Sequence, residues 1–264
     1  MFRPVRENLL KTPALTLITI PMLILCTFGG YSLLHNFTLH NTLLFVAGYV
    51  TFVMAGIFVG FHHYLSHRSF TTRTSIGRYI MVWAGSLACQ GSPLYWVAIH
   101  RGYHHRNTDT LKDIHSPVHG LWHSFVGWIF KQNDQSIHIK YAIDLVKDKQ
   151  IMFIHNNYIK VVLGFNVLLF VVFGLDVLLY FSMLPSLLAF ITVGLTNSVA
   201  HIQFGGYRNY DTKDNSRNVP WMFPLVLGEC WHNNHHGNPA SYTKQHKWWE
   251  VDPAVLVIAF LRRL

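Results

Sequence analysis

Histidines are the residues whose type and spacing best suit catalysis in this sequence, and they occur in three dense motifs. The third motif places His232, His235 and His236 within five residues, with two asparagines between them. Side chains three and four positions apart share one face of a helix, so these imidazoles would converge on one point. Neutral imidazole is the commonest metal ligand among side chains. The third motif therefore predicts a metal centre.

Two earlier motifs repeat the arrangement, and a further histidine ends the phrase Asn197-Ser198-Val199-Ala200-His201. The first motif contains His62, His63 and His67, and the second contains His100, His104 and His105. The candidate metal ligands are His62, His67, His100, His104, His105, His201, His232, His235 and His236. Nine nitrogens exceed the roughly four to six that one ion binds, so they favour two metals.

The donor set also bears on which metal is bound. A structural zinc takes four ligands, usually including cysteine, and a catalytic zinc takes three protein ligands and a water. Copper is compatible with imidazole ligands. A redox-active iron pair is favoured, because it accounts for both the number of histidines and their position beside apolar segments.

The composition indicates an integral membrane protein. Of the 264 residues, 51% are hydrophobic and only 12% are charged, whereas soluble domains are about 25% charged. Apolar runs predict four spans at about 14–34, 42–61, 158–174 and 184–200. We expect one domain, 1–264: an all-α membrane protein whose four transmembrane helices carry a cytoplasmic helical cap that holds a dimetal site. The basic start followed by an apolar run could also be a signal peptide, but the run is long and no cleavage site follows it.

The distribution of Lys and Arg predicts the topology. The amino-terminal segment carries three of these cations, the region 62–157 carries ten, Lys160 adds one and the region 202–264 carries seven. The connections 35–41 and 175–185 carry none. The positive-inside rule therefore places both termini and the polar regions 62–157 and 201–264 in the cytoplasm, with every histidine motif on that side. We expect a bacterial inner membrane rather than endoplasmic reticulum, and no nucleic-acid partner.

Four phrases together resemble the membrane fatty acid desaturases, most closely the acyl-CoA delta-9 type. Residues 60–69, Gly-Phe-His-His-Tyr-Leu-Ser-His-Arg-Ser, are similar to the family's H-x-x-x-x-H box. The second motif, followed by Asp113-Ile114-His115-Ser116, resembles H-R-x-H-H and its D-x-H-S phrase, with one extra residue in the box. His232-Asn233-Asn234-His235-His236 matches the third box, and residues 197–201 match N-S-x-x-H. The resemblance runs from the second span almost to the carboxyl terminus.

The resemblance implies that the nine candidate histidines hold two irons and that Asn197 reaches a metal through a water. It also implies that His62 is the first ligand, although α-helical spacing favours the neighbouring His63, four residues before His67. Imidazole ligands need carboxylates behind them to orient the rings, for which Asp109, Asp113, Asp211, Asp214 and Glu229 are candidates. His115, His119 and His123 are expected to lie behind the ligands or at the surface.

The activity implied is oxidative insertion of a cis double bond into a saturated acyl chain, an oxidoreductase reaction of fatty acid biosynthesis with O₂ reduced to water. The substrate expected first is an acyl-CoA, with lipid-linked acyl chains or hydroxylation by a related diiron enzyme as alternatives. Arg68 and Arg101, with Arg73 and Arg106, could hold the phosphate of the acyl-CoA, and Trp96, Trp122 and Trp231 could line an acyl tunnel. Without a dinucleotide fingerprint, the chain is expected to take electrons from a ferredoxin or a small b-type cytochrome with its reductase. A metal transporter is disfavoured, because the spans carry almost no polar residue, Asn166 excepted.

Overall fold

The computed structural model describes residue 23 and residues 26–34, 38–131 and 139–264. Residues 26–34 are helical, but most of the predicted first span, 14–34, lies outside the described residues. Within the described residues the chain is helical and forms no β-sheet; two isolated antiparallel bridges join Tyr207 to Asn218 and Asn218 to Trp231.

Two helices are long and apolar enough to cross a membrane within the described part of the chain. The first long helix, Leu39–His67, replaces the predicted 42–61, and the second long helix, Val177–Val199, replaces the predicted 184–200. The first long helix continues through the first histidine motif, because Phe61, Leu65 and their neighbours pack into the core instead of forming a loop.

The segment 175–185 was predicted to connect two spans, but most of it is helical, because the second long helix begins at Val177. Its apolar residues sustain the helix, and Val177–Met183 is wound as a π-helix before α-helix resumes at Leu184. Pro185, which has no amide hydrogen to donate, lies in the first turn after that change of winding.

The predicted third span corresponds to helix Tyr158–Phe173, which meets helix Lys149–Asn156 at an angle of 80°. The described residues therefore hold two candidate spans, or three if this bent pair is one broken span. The described residues do not test the predicted arrangement of four spans.

Two glycines allow the first long helix to contact helix Ser75–Leu87 closely. A Cβ atom on Gly56 would lie 2.5 Å from the backbone nitrogen of Gly85, and one on Gly85 would lie 2.5 Å from the ring of Phe61. These distances leave no room for a side chain, so the two backbones touch at this point. Phe61 directly precedes His62, and the contact therefore fixes the position of the first motif relative to helix Ser75–Leu87.

Further, shorter helical segments lie within the described residues. They are Pro93–Ile99, His100–His104, His105–Asn107, Pro117–His119, His123–Gly127, Trp128–Lys131, Ile139–Ala142, Pro220–Met222, Phe223–Val226, Leu227–Cys230, His232–Gly237 and Ala254–Leu261. The last of these consists of eight apolar residues, with Ile258 buried and Leu256 exposed.

Candidate metal centre

The structure gathers the nine predicted ligands into two adjoining groups of imidazoles. The five-histidine group contains His62, His67, His100, His105 and His235, and the four-histidine group contains His104, His201, His232 and His236. Within each group the candidate ligand atoms all lie within 4.8 Å of one another. The groups adjoin where the rings of His105 and His236 stack with centroids 4.6 Å apart. The long helices end at this site, since His67 closes one and His201 follows the other.

π-Helical winding explains why the first two motifs contribute pairs spaced five residues apart. Tyr49–His67 and His100–His104 are both π-helical, so their backbone hydrogen bonds join residues five apart. His62 and His67 consequently share a face, as do His100 and His105, and both pairs belong to the five-histidine group. The α-helical argument for His63 was wrong at this position, because the helix is wound differently there.

The third motif divides its ligands between the two groups because it is an ordinary α-helix. In helix His232–Gly237, His232 and His236 are four residues apart and enter the four-histidine group. His235 points to the other side, where its Nε2 lies 2.9 Å from Nε2 of His62 and 3.1 Å from Nε2 of His105. One short helix therefore supports both groups.

The spacing of the nitrogens suits ligands around a metal ion. Neighbouring Nε2 atoms lie 2.8 Å apart in His67 and His100, and 2.9 Å apart in His201 and His232. Ligands at right angles around an ion, each bound at about 2.1 Å, are roughly 3 Å apart. The groups thus have the dimensions of two coordination shells.

Carboxylates lie behind four of the imidazoles. Nδ1 of His104 lies 2.9 Å from Asp113, and Nδ1 of His236 lies 2.8 Å from Asp214. Nδ1 of His201 lies 3.3 Å from Asp109, and Nδ1 of His62 lies 3.4 Å from Glu229. Four of the five predicted acids therefore contact a candidate ligand; the fifth, Asp211, is exposed.

These carboxylates determine which ring nitrogen carries the proton. A carboxylate only accepts hydrogen bonds, so His104, His201 and His236 donate from Nδ1 and keep a lone pair on Nε2. The Nε2 atoms of His201 and His236 both face Nε2 of His232, at 2.9 Å and 3.1 Å. Nε2 of His104 is buried and has no hydrogen-bond partner among the described residues. Several lone pairs directed at one place are stabilised by a cation, and the residues therefore fit a bound metal.

The buried imidazoles are also held in the neutral, ligating form. Burial lowers the pKa of His104, His105 and His232 well below the ordinary value, and neighbouring imidazoles lower it further. The same two causes lower the pKa of His100 and His235.

Two asparagines of the third motif anchor its helix, a role that the sequence reasoning missed. The side-chain oxygen of Asn233 accepts hydrogen bonds from the backbone amides of Asn209 and Tyr210, both at 2.8 Å. Asn234 donates to the carboxylate of Glu250 at 2.8 Å and accepts from the amide of Asn218 at 2.8 Å. The signal was present in the sequence, because asparagines that lie between buried metal ligands are buried with them and need hydrogen-bond partners.

Glu250 is the centre of that anchor. Its carboxylate accepts hydrogen bonds from Tyr207, Asn209, Asn234 and the backbone amides of His246 and Lys247. Burial alone would raise the pKa of Glu250, but the hydrogen bonds from Tyr207 and the backbone amides hold it below the ordinary value. The ionised carboxylate thus ties the loop after the third motif to the helix that bears the ligands.

Two adjoining cavities border the histidines, and they share Trp96, His100, Val193 and Asn197 in their walls. One cavity reaches both groups, through His62 and His100 on one side and His104 and His232 on the other. The other cavity is mostly aromatic and aliphatic, with Phe125, Trp128 and Phe190 among its lining residues. Trp96 stacks on His100 with centroids 4.9 Å apart and donates a hydrogen bond to Gln90. An apolar chain could therefore lie directly beside both imidazole groups.

Other predicted substrate residues lie elsewhere. Arg101 donates to the backbone carbonyls of Leu65, Ser66 and Tyr141 and pairs with Asp144. Arg68 pairs with the same carboxylate, and Trp231 is buried with its indole nitrogen donating to the carbonyl of Val251. Trp122 is 71% exposed.

The other three predicted histidines belong to neither of the two groups. His115 is buried with its Nδ1 3.3 Å from Asp113, His123 donates to the carbonyl of Ile114, and His119 is exposed.

A sequence profile of fatty acid desaturases matches residues 38–256, which include all nine clustered histidines. The chain belongs to the fatty acid desaturase family. It is therefore a membrane-associated oxidoreductase that acts on fatty acyl chains, as the motif resemblance predicted.

Relatives with assigned names give a consistent picture. The chain is 37% identical to an sn-1 stearoyl-lipid 9-desaturase of Synechocystis sp. over 79% of its own length and 65% of the relative's. It is 33% identical to an sn-2 palmitoyl-lipid 9-desaturase of Nostoc sp., covering 79% of this chain and 74% of the relative. It is 34% identical to Delta-9 acyl-lipid desaturase 1 of Arabidopsis thaliana, covering 78% and 67%.

Proposed function

We propose that this desaturase inserts a cis double bond at the delta-9 position of a saturated acyl chain carried by a membrane lipid. The observation that carries the proposal is the pair of imidazole groups beside two adjoining cavities, one of them mostly apolar. The relatives named above act at the same position, and each has a lipid-linked substrate in its name.

Two irons are the metals that we propose for the two groups, with five and four histidine ligands. They would supply the activation of O₂ and the oxidation of unactivated methylene groups, which no side chain can perform. Asn197 lies in the cavity wall with His104 and His232, which supports its predicted role as a water-holding residue at the four-histidine group. The residues of the chain would otherwise bind and orient the substrate, with Trp96 and Val193 keeping its methylene groups next to the imidazoles and excluding bulk water.

A lipid-linked substrate is favoured over the acyl-CoA that the motifs first suggested. Arg101, one of the arginines expected to hold the phosphate of an acyl-CoA, instead uses its guanidinium on three carbonyls and Asp144. A lipid substrate would already be in the bilayer that the long apolar helices are suited to cross.

We also propose an acidic electron donor, of the ferredoxin or small b-type cytochrome kind. Desaturation with O₂ consumes two electrons that this chain does not hold. Arg68, Arg101, Arg106 and Lys140 surround Tyr141 and the single carboxylate of Asp144, and we name these four cations the basic patch. The ligands His67 and His105, both partly exposed, adjoin it. Positive charge beside partly exposed ligands suits a negatively charged partner.

The products distinguish the candidate reactions. Purified protein in lipid nanodiscs, given O₂ and a reduced donor, should convert a saturated phospholipid to a product that has lost two hydrogens, with the double bond at delta-9. It should leave stearoyl-CoA unchanged. A product that has gained one oxygen would identify a hydroxylase instead. Conversion of stearoyl-CoA but not of the phospholipid would identify an acyl-CoA desaturase, the substrate class that the motifs first suggested.

A further inference from the structure

Lys244 is a buried cation next to the five-histidine group. The side chain is 1% exposed, and its ammonium lies 2.7 Å from Nε2 of His63 and 2.9 Å from Oε1 of Glu229. Its backbone is fixed on both sides, because its amide donates to Asp252 and its carbonyl accepts from Asn234. A buried ammonium persists only when it is paired, so its partners are the key to its role.

The charge of Lys244 is maintained by its carboxylate neighbours. Burial alone would lower the pKa of Lys244, but Glu229 and Asp252 raise it above the ordinary value. An ammonium has three hydrogens to donate and no lone pair. Lys244 can therefore contact His63 only as a donor.

This contact takes up the nitrogen through which His63 would bind a metal. Nε2 of His63 accepts from the ammonium, and Nδ1 of His63 lies 3.2 Å from the hydroxyl of Ser69. His63 is otherwise close enough to compete, since it forms a tight group with His62 and Glu229 whose ligand atoms lie within 4.8 Å of one another. The ammonium also repels a metal cation from that side.

Whereas Lys244 occupies the nitrogen of His63, it leaves His62 free to bind a metal, and it does so through Glu229. Lys244 holds one oxygen of this carboxylate, and the other lies 3.4 Å from Nδ1 of His62. A carboxylate on Nδ1 leaves the lone pair of His62 on Nε2, which faces Nε2 of His235 at 2.9 Å. The same ammonium thus blocks one histidine and, through Glu229, orients its neighbour.

We propose that Lys244 is a positioning residue that selects His62, and not His63, as the first ligand of the five-histidine group. The proposal rests on the metal-binding function proposed above. Without the ammonium, both rings would present a free nitrogen to the same ion, and Glu229 would lose the contact that fixes it.

Iron affinity and the Mössbauer spectrum of bound iron test whether Lys244 selects His62, without relying on enzymatic activity. Four proteins loaded with ⁵⁷Fe are compared: the native protein, Lys244→Met, His63→Asn and the double variant Lys244→Met/His63→Asn. Mössbauer spectroscopy reports the environment of each iron, and chelator competition measures iron affinity. Lys244→Met should alter the signal of one iron only and weaken its binding about 10- to 100-fold, as loss of a ligand-orienting contact does. His63→Asn alone should keep the native signals, and in the Lys244→Met background it should return the altered signal towards the native one.

Other results would overturn the selection. Native signals in Lys244→Met, or an iron lost in His63→Asn alone, would each contradict it. If Lys244→Met does not fold, the single substitutions decide: His62→Asn must change one iron signal and His63→Asn must not. A native protein that binds no iron would instead refute the proposed function, so the two failures are distinguishable.

Discussion

At the scale of single residues, the acids behind the imidazoles explain how neutral rings are held ready for metal. Asp113 and Asp214 fix the proton on Nδ1 of His104 and His236, so that Nε2 of each ring is free to ligate. The sequence identified nine candidate histidines and these acids by residue type, spacing and, for His62, family resemblance. It could not show how the histidines divide into five and four, because that depends on helical winding and on contacts between distant segments.

Removing such an acid should weaken metal binding while the fold persists. We expect Asp113→Asn and Asp214→Asn each to lower iron affinity about 10- to 100-fold, because a neutral amide orients an imidazole less well. Chelator competition on the purified protein measures this. Asp211→Asn, which changes an exposed acid of the same region, is the matched control; equal losses in all three variants would contradict the assigned contacts.

At the scale of elements, the winding of two helices places the ligands. The π-helical segments bring residues five apart to one face, and the α-helical third motif brings residues four apart together. Apolar composition predicted the long helices, but propensity does not distinguish π from α winding. The choice of His62 therefore followed from resemblance, while the α-helical argument failed.

The glycine contact between the first long helix and helix Ser75–Leu87 should be sensitive to one methyl group. We expect Gly56→Ala to destabilise the protein by about 1–3 kcal/mol, since the new Cβ atom would meet backbone that cannot rotate away. Thermal unfolding in detergent measures the loss. Gly164→Ala, where nothing lies within 4 Å of the added atom, should leave the unfolding temperature unchanged or slightly raised. Equal unfolding temperatures for the two variants would show that the helices are not in contact.

At the scale of the whole molecule, two long apolar helices both end at the histidine groups. The cation distribution predicted that all the motifs share a side of the membrane, and their meeting in one centre agrees with a common side. That this side is cytoplasmic remains a prediction, as does the first span.

The basic patch gives the donor proposal a measurable consequence. Reversing two of its exposed charges, Arg106→Glu with Lys140→Glu, should raise KM for an acidic donor several-fold and leave KM for the lipid unchanged. The difference should shrink as salt is added, because salt screens exposed charges. Steady-state kinetics with Arg263→Glu as control test this, and an unchanged KM for the donor would place docking elsewhere.

Iron content is the most direct test of the central claim that nine imidazoles form two metal sites. Protein purified after expression with ⁵⁷Fe should contain two irons per chain, in two distinct environments by Mössbauer spectroscopy. His235→Ala should perturb one environment and His104→Ala the other, while His119→Ala at an exposed histidine should perturb neither. Active protein with a single iron per chain, or iron unaffected by either ligand change, would contradict the account.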